Sequence, residues 1–157
     1  MSATRATSAL DRAGIHYRMH PYEMPDAPPE SYGEAVAAAI GFPAGRVFKT
    51  LIAEVDGKPV VAIVPVDRSL RMKSLAAVRS GKRAAMADPT DAERLTGYVT
   101  GGISPFGQRT TLPVVLDESA VGAATICVSG GQRGLQLEIA PGDLAAVLGA
   151  VIAPISS

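Results

Sequence analysis

The period of hydrophobic and polar positions changes several times along this chain, and each change marks an element. Residues Ser2–Ala13 form a short polar-rich run that stops at Gly14, which predicts a brief helix closed by a left-handed glycine. In "IHYRM" (15–19) Ile15, Tyr17 and Met19 alternate with polar residues, the period of a half-buried strand. "HPYEMPDAPPE" (20–30) carries four prolines and reads as an irregular loop. Ser31 and Glu34 have the spacing of a capping box ahead of "AVAAAI", and Gly41 closes that helix. "RVFKTLIAEV" and "KPVVAIVPV" flank Asp56–Gly57, a pair that tolerates the positive φ angles of a two-residue hairpin turn. "MKSLAAVRSG" predicts a helix with Gly81 past its end, and Asp88–Pro89 cap and open another that ends at Gly97. Strands follow at 113–116, 124–129 and 134–139, then a helix from Pro141 to Leu148. Hairpins and short helices without a βαβ rhythm predict an α+β fold, with a mixed, largely antiparallel β-sheet surrounded by short helices.

Composition narrows the class. A 157-residue chain with 47% hydrophobic and 19% charged residues predicts one folded domain spanning 1–157. No apolar run approaches the ~20 residues of a membrane span, and "MSATRATSALDRAG" lacks the apolar centre of a signal peptide. With one cysteine, Cys127, no internal disulfide framework is available, and these features together predict a cytoplasmic protein. Fifteen basic and fifteen acidic residues balance, so attraction to nucleic acid has to come from a local patch. From Arg68 to Arg83 there are six cations (Arg68, Arg71, Lys73, Arg79, Lys82, Arg83) and no acid, either a solvated face or a track for phosphates. His16, His20 and Cys127 match no metal-ligand spacing, and no nucleotide-binding glycine motif is present. Neither a metal nor a cofactor is expected.

Three stretches can carry chemistry. "TGGISPFG" (100–107) suits neither a helix nor a strand interior. Its glycine pair allows close backbone approach and aligned N–H donors, while Pro105 stiffens the exit. It is either a tight turn or a cradle for a developing oxyanion. Lys49 lies in an otherwise apolar strand, on the face of Val47, Leu51 and Ala53. An ammonium there has to reach an anion or snorkel to solvent. In "TICVSGG", Thr125, Cys127 and Ser129 share one strand face and Ile126 and Val128 the other. Cys127 is a nucleophile or a buried structural thiol, and Ser129 caps a turn or touches substrate. His20 has the ionisation range of a general base, but it sits in a proline-rich loop.

"HPYE", "VFKTL", "MADPTDAERLTGYVTGGISPFGQR", "LPVVLDESA" and "TICVSGGQRGLQLEIAPGDLAAVLGA" together resemble the YbaK/EbsC family of trans-acting Cys-tRNA(Pro) deacylases, within the prolyl-tRNA editing-domain superfamily. The resemblance spans nearly the whole chain. It implies a hydrolase that removes mischarged amino acids from tRNA, with prolyl-tRNA synthetase as a partner. It places Lys49, Gly101, Gly102 and Ser129 in catalysis, and Tyr22, Ile103, Ser104, Pro105 and Gln136 against substrate. The stretch Gly101–Pro105 fits the family's GxxxP loop. Where the family often has Asp, this chain has Gln136, which is neither a base nor a counter-ion for an ammonium group. For cysteine the resemblance implies that the substrate's own thiol attacks its ester. A water-using deacylase for another amino acid, such as alanine, and a tRNA-binding adaptor without turnover are the alternatives.

Overall fold

The computed structural model describes residues 3–157, so the predicted helix start at Ser2 lies outside the described residues. Helix α1 (Arg5–Ala13) is capped by Thr4, whose hydroxyl accepts from the Thr7 amide while the Thr7 hydroxyl accepts from the Thr4 amide. Gly14 closes it at φ 70°. Strand β1 runs over Arg18–Pro21, three residues later than the alternation predicted. Ile15 and Tyr17 instead pack against the main core as the chain enters the strand. Helix α2 (Tyr32–Ile40) follows a single 3-10 turn at Pro29–Ser31. The predicted capping box does not form, because the Ser31 hydroxyl turns back to the Pro28 carbonyl instead of taking a helix amide.

Strands β2 (Phe48–Val55) and β3 (Lys58–Pro65) form the expected hairpin, with Asp56 at φ 51° and Gly57 at φ 81°. Its register explains two prolines inside a central strand. The Val66 amide donates to the Val47 carbonyl at 2.8 Å, so odd-numbered residues of β2 bond across to even-numbered residues of β3. Pro59 and Pro65 stand opposite Glu54 and Phe48, in positions that owe β2 no amide. Helix α3 (Met72–Val78), strand β4 (Ala84–Met86) and helix α4 (Pro89–Thr96) come next. Strands β5 (Val114–Asp117), β6 (Ile126–Ser129) and β7 (Leu135–Ile139), helix α5 (Pro141–Leu148) and strand β8 (Val151–Ala153) complete the chain.

The strands make two sheets. One has the order β1-β7-β6, all antiparallel; the other has β4-β2-β3-β5-β8, antiparallel up to β3 and parallel beyond. The main core lies between them, built from Phe48, Ile52, Val61, Ile63, Leu116, Ile126, Val128, Leu135, Leu137 and Ile139, with α1, α4 and α5 closing its sides. Leu51, Ala53 and Val55 on the opposite face of β2 pack against Leu75 and Ala76 of α3. Among the described residues the backbones of the two sheets are bridged at one place, the parallel pair Val47 and Cys127, which packs with Ala37 of α2. Beyond that bridge β2 and β6 are no longer paired, and the opening between them is the mouth of a cleft.

Candidate functional site

The cleft has a volume of about 320 Å³ and is lined by α2, the first half of β2, β4 and the turn after it, the loop after α4, and the ends of β6 and β7. Of the residues predicted from sequence, Tyr22, Lys49, Gly101, Ile103, Ser129 and Gln136 line it. Ser129 and Gln136 are direct cross-strand partners, which places their side chains on one face of the three-stranded sheet. The Ser129 hydroxyl also accepts from the Gly131 amide at 3.2 Å, so it caps the turn and faces the cleft at once.

The free edge of β2 forms one wall. The backbone groups of Phe48, Thr50 and Ile52 point away from β3. Strand β4 pairs with Ala53–Val55, and the Ala87 amide takes the Ile52 carbonyl at 3.0 Å. Thr50 therefore turns its backbone toward the cleft and not toward another strand. Lys49, next to it, is the one charged side chain among the described residues lining the cleft. Burial pushes its ammonium below the ordinary lysine value, against the opposing pull of Asp67 and then Glu34.

The loop after α4 answers the puzzle of its composition. Gly97 ends the helix at φ 79°, and Tyr98 is buried, its hydroxyl donating to the Phe106 carbonyl. Val99 to Gly102 then make a tight turn in which the Gly102 amide donates to the Val99 carbonyl at 2.9 Å. Gly101 holds the third position at φ 89°, where a side chain is strained. Gly102 is glycine for a different reason: a Cβ there would lie 3.0 Å from the Arg133 backbone nitrogen and 3.1 Å from the Gln132 Cα. The Arg133 guanidinium clamps the turn, donating to the Thr100 carbonyl at 2.6 and 3.1 Å. From the other side, Glu93 accepts from the Thr100 amide and hydroxyl.

Gly102, Ser104 and Pro105 support this loop and do not line the cleft. Ser104 is fully buried, its hydroxyl accepts from the Phe106 amide at 3.2 Å, and its carbonyl accepts from Gln108. The expected substrate contacts from Ser104 and Pro105 are therefore absent from the cleft lining. The expected oxyanion donor at Gly102 is already engaged within the turn.

Two other candidates resolve as structural. Cys127 is completely buried, and burial, with the nearby Glu138 carboxylate, pushes its thiol up to about 12. A thiol so held is not a nucleophile at neutral pH. His20 bonds Glu138 through Nε2 at 2.8 Å and stands edge-on to the Phe42 ring, outside the cleft lining. Glu138 also accepts from the Thr125 hydroxyl, and these bonds hold its carboxyl below the usual range.

Sequence reasoning missed Tyr32 and Thr50. Both line the cleft, and among the described residues Tyr32 Oη, Thr50 Oγ1 and Gln136 Oε1 are buried side-chain atoms without a hydrogen-bond partner. Each such group left bare costs about 1–3 kcal/mol. That all three residues line one cleft marks it as a place suited to receive polar atoms of a ligand.

The chain matches the aminoacyl-tRNA editing domain over residues 27–147. It is 37% identical over 140 residues to EbsC of Enterococcus faecalis, provisionally named a Cys-tRNA(Pro)/Cys-tRNA(Cys) deacylase, covering 88% of this chain and 84% of that protein. It is 28% identical over 123 residues to the proline–tRNA ligase of Geobacter metallireducens, a match to 78% of this chain and 21% of the ligase. The Escherichia coli K12 protein ProXp-y, named a multifunctional Ser/Thr-tRNA deacylase, is 35% identical over 88 residues, 54% of this chain and 53% of that one. Among solved structures, a provisionally assigned trans-editing enzyme for prolyl-tRNA synthetase superposes with TM-score 0.85 at 25% identity, over 98% of this chain and 95% of that one. The matched sequence includes the whole of β2, the loop after α4 and the Ser129–Gln136 pair that form the cleft, and the chain belongs to the aminoacyl-tRNA editing-domain family.

Proposed function

We propose that this chain is a cytoplasmic aminoacyl-tRNA deacylase whose preferred substrate is Cys-tRNA(Pro), cleaved by the cysteine's own thiol. The observation that carries the reading is the composition of the cleft. The described residues lining it include one cation, several hydroxyls and an amide, but no Cys, His, Asp or Glu. Such a site offers no Cys, His or carboxylate to act as nucleophile or base, which supports an attacking group that comes with the substrate.

An aminoacyl ester is already activated, and positioning with charge stabilisation suffices. The substrate thiolate attacks the ester carbonyl, the carbon–sulfur bond forms, and the bond to the ribose oxygen breaks. That oxygen takes up a proton and leaves as the tRNA hydroxyl. The cyclic thioester is opened afterwards by water. The Lys49 ammonium and the Gly101 amide face the oxygen on which charge develops. Tyr22 and Ser129 orient the ester, Ile103 supplies apolar contact, and Gln136 meets the amino-acid end. The tRNA acceptor end enters past the Arg133 clamp, and prolyl-tRNA synthetase is the partner that releases the mischarged product.

The departure at Gln136, together with the likeness to a Ser/Thr-tRNA deacylase, supports a second reading in which water attacks another aminoacyl ester. A deacylation panel with Cys-, Ala-, Ser- and Pro-charged tRNA separates them. Selective cleavage of the cysteinyl ester is the expected result. Equal rates for the cysteinyl and seryl esters would overturn thiol attack, and no cleavage of any of them would leave a tRNA-binding adaptor.

A further inference from the structure

We propose that the Tyr32 and Thr50 hydroxyls act with the Gln136 amide as the substrate-reading set of this cleft, taking the α-amino group of the aminoacyl ester through uncharged hydrogen-bonding groups. The inference rests on the deacylase reading and extends it to two residues that the reading does not use.

Its basis is geometric. Thr50 and Gln136 are 9% and 7% exposed, and Thr50 Oγ1 and Gln136 Oε1 have no partner among the described residues, although both residues line the cleft. Tyr32, half-buried at the start of α2, also has a buried Oη without a formed hydrogen bond, with the Tyr22 hydroxyl its near neighbour. Three elements thus bring side chains with unsatisfied polar atoms to one cleft: α2, the open edge of β2 and the start of β7. A ligand answering them needs a compact group with several hydrogen bonds. In an aminoacyl ester the amine is such a group whatever the side chain is. An amide oxygen and two hydroxyls accept its N–H bonds. Lys49 is the one charged residue in the lining, and the Asp67 and Glu34 carboxylates that act on it lie outside that lining. Neutral acceptors fit an amine bound beside a lysine better than they fit a cation needing a counter-ion.

The test pairs a change in enzyme with a change in substrate. Thr50→Val and Tyr32→Phe each remove a hydroxyl and keep nearly the same shape. Thr50→Ser keeps the hydroxyl and controls for packing. Single-turnover kcat/KM is measured on Cys-charged tRNA and on 3-mercaptopropionyl-tRNA, which keeps the thiol and lacks the amine. Thr50→Val and Tyr32→Phe are expected to lose about tenfold on the cysteinyl substrate, the scale of one lost hydrogen bond. Both should act on the amine-free substrate at close to the parental rate, and Thr50→Ser should recover most of the loss. Equal losses on the two substrates, or no loss on either, would overturn the assignment. If Thr50→Val fails to fold, the same comparison on Tyr32→Phe decides it. A parental enzyme that cleaves neither ester overturns the deacylase reading itself, an outcome distinct from a parent that cleaves both while its variants match it.

Discussion

Lys49 concentrates the chemistry at the scale of single residues. Replacing it with Ala removes the one charge among the described residues of the cleft lining and relieves a half-buried ammonium, so folding should be unharmed while deacylation nearly vanishes. Circular dichroism with single-turnover cleavage checks both halves; a folded variant that cleaves at the parental rate would remove Lys49 from the mechanism. The direction of its shift adds a pH signature. Because burial lowers the lysine's pKa, activity that needs the ammonium falls as pH rises, starting below the ordinary lysine value of ~10.4. A substrate thiol of pKa ~8.5 makes the rate climb on the acid side. The rate on Cys-charged tRNA should therefore be bell-shaped, and its alkaline limb should disappear from the residual activity of Lys49→Ala.

At the scale of elements, two connections hold the cleft in shape, and each has its own prediction. The loop after α4 is a turn gripped by Glu93 and Arg133. Gly101→Ala forces a side chain at φ 89° against the Arg133 guanidinium, at a backbone cost of about 1–2 kcal/mol. If the Gly101 amide faces the developing oxyanion, the rate drops by about 10²–10³. Ser104→Ala should do the reverse, lowering the melting temperature by baring the buried Phe106 amide while leaving the rate of folded enzyme near parental. A Gly101→Ala protein that melts early but cleaves normally would make this segment a turn only. The second connection is Asp117, buried at the end of β5, where it accepts from the Ile155 amide at 3.0 Å and from Ser119. Burial pushes its carboxyl up, but these hydrogen bonds outweigh burial and hold it below the ordinary value. A depressed carboxylate contributes stability that is complete above the unfolded value of ~3.9 and is lost as pH falls through the folded one. The unfolding free energy from urea titration should fall for Asp117→Ala at pH 7, by about 1–3 kcal/mol for the bared Ile155 amide, and the difference from the parent should shrink in acid.

For the molecule as a whole, the question is how a chain with balanced charge meets tRNA. The six cations from Arg68 to Arg83 are all exposed around α3, the helix that packs on the face of β2 opposite the main core. The run ends at Arg83, directly before β4, and Met86 and Ala87 line the cleft. The Lys82 and Arg83 amides bond the Asp56 carboxylate at the tip of the β2–β3 hairpin, and experiment separates a phosphate track from a solvated face. Reversing Arg79 and Lys82 to Glu should weaken tRNA binding, flatten its salt dependence by roughly 0.9 per lost phosphate contact, and leave cleavage at saturating enzyme near parental. Unchanged affinity would return the run to solvent. No helix among the described residues is long and apolar enough to cross a membrane.

Local chemistry alone was enough to determine much of this. The Asp56–Gly57 hairpin, the α4 boundaries at Asp88 and Gly97, and α5 from Pro141 to Leu148 follow from turn and cap residues whose preferences act within a few positions. Lys49 and Gly101 stood out because a cation in an apolar strand and a glycine pair are anomalies in any context. Strands β4 and β8, three residues each, were not legible: "AAM" and "VIA" have no period, and their pairing with β2 and β5 supplies all their order. The division into two sheets was hidden for the same reason, since one bridge at Val47 and Cys127 joins them. Tyr32 and Thr50 read as ordinary polar residues in sequence, because a hydroxyl is remarkable only when it is buried without a partner. Only the tertiary structure decided that, by ending the pairing with β6 at the Val47–Cys127 bridge and leaving the edge of β2 open at Thr50. Hairpins, caps and lone charges are fixed by neighbours in the chain, whereas a cleft is the space between segments far apart in it.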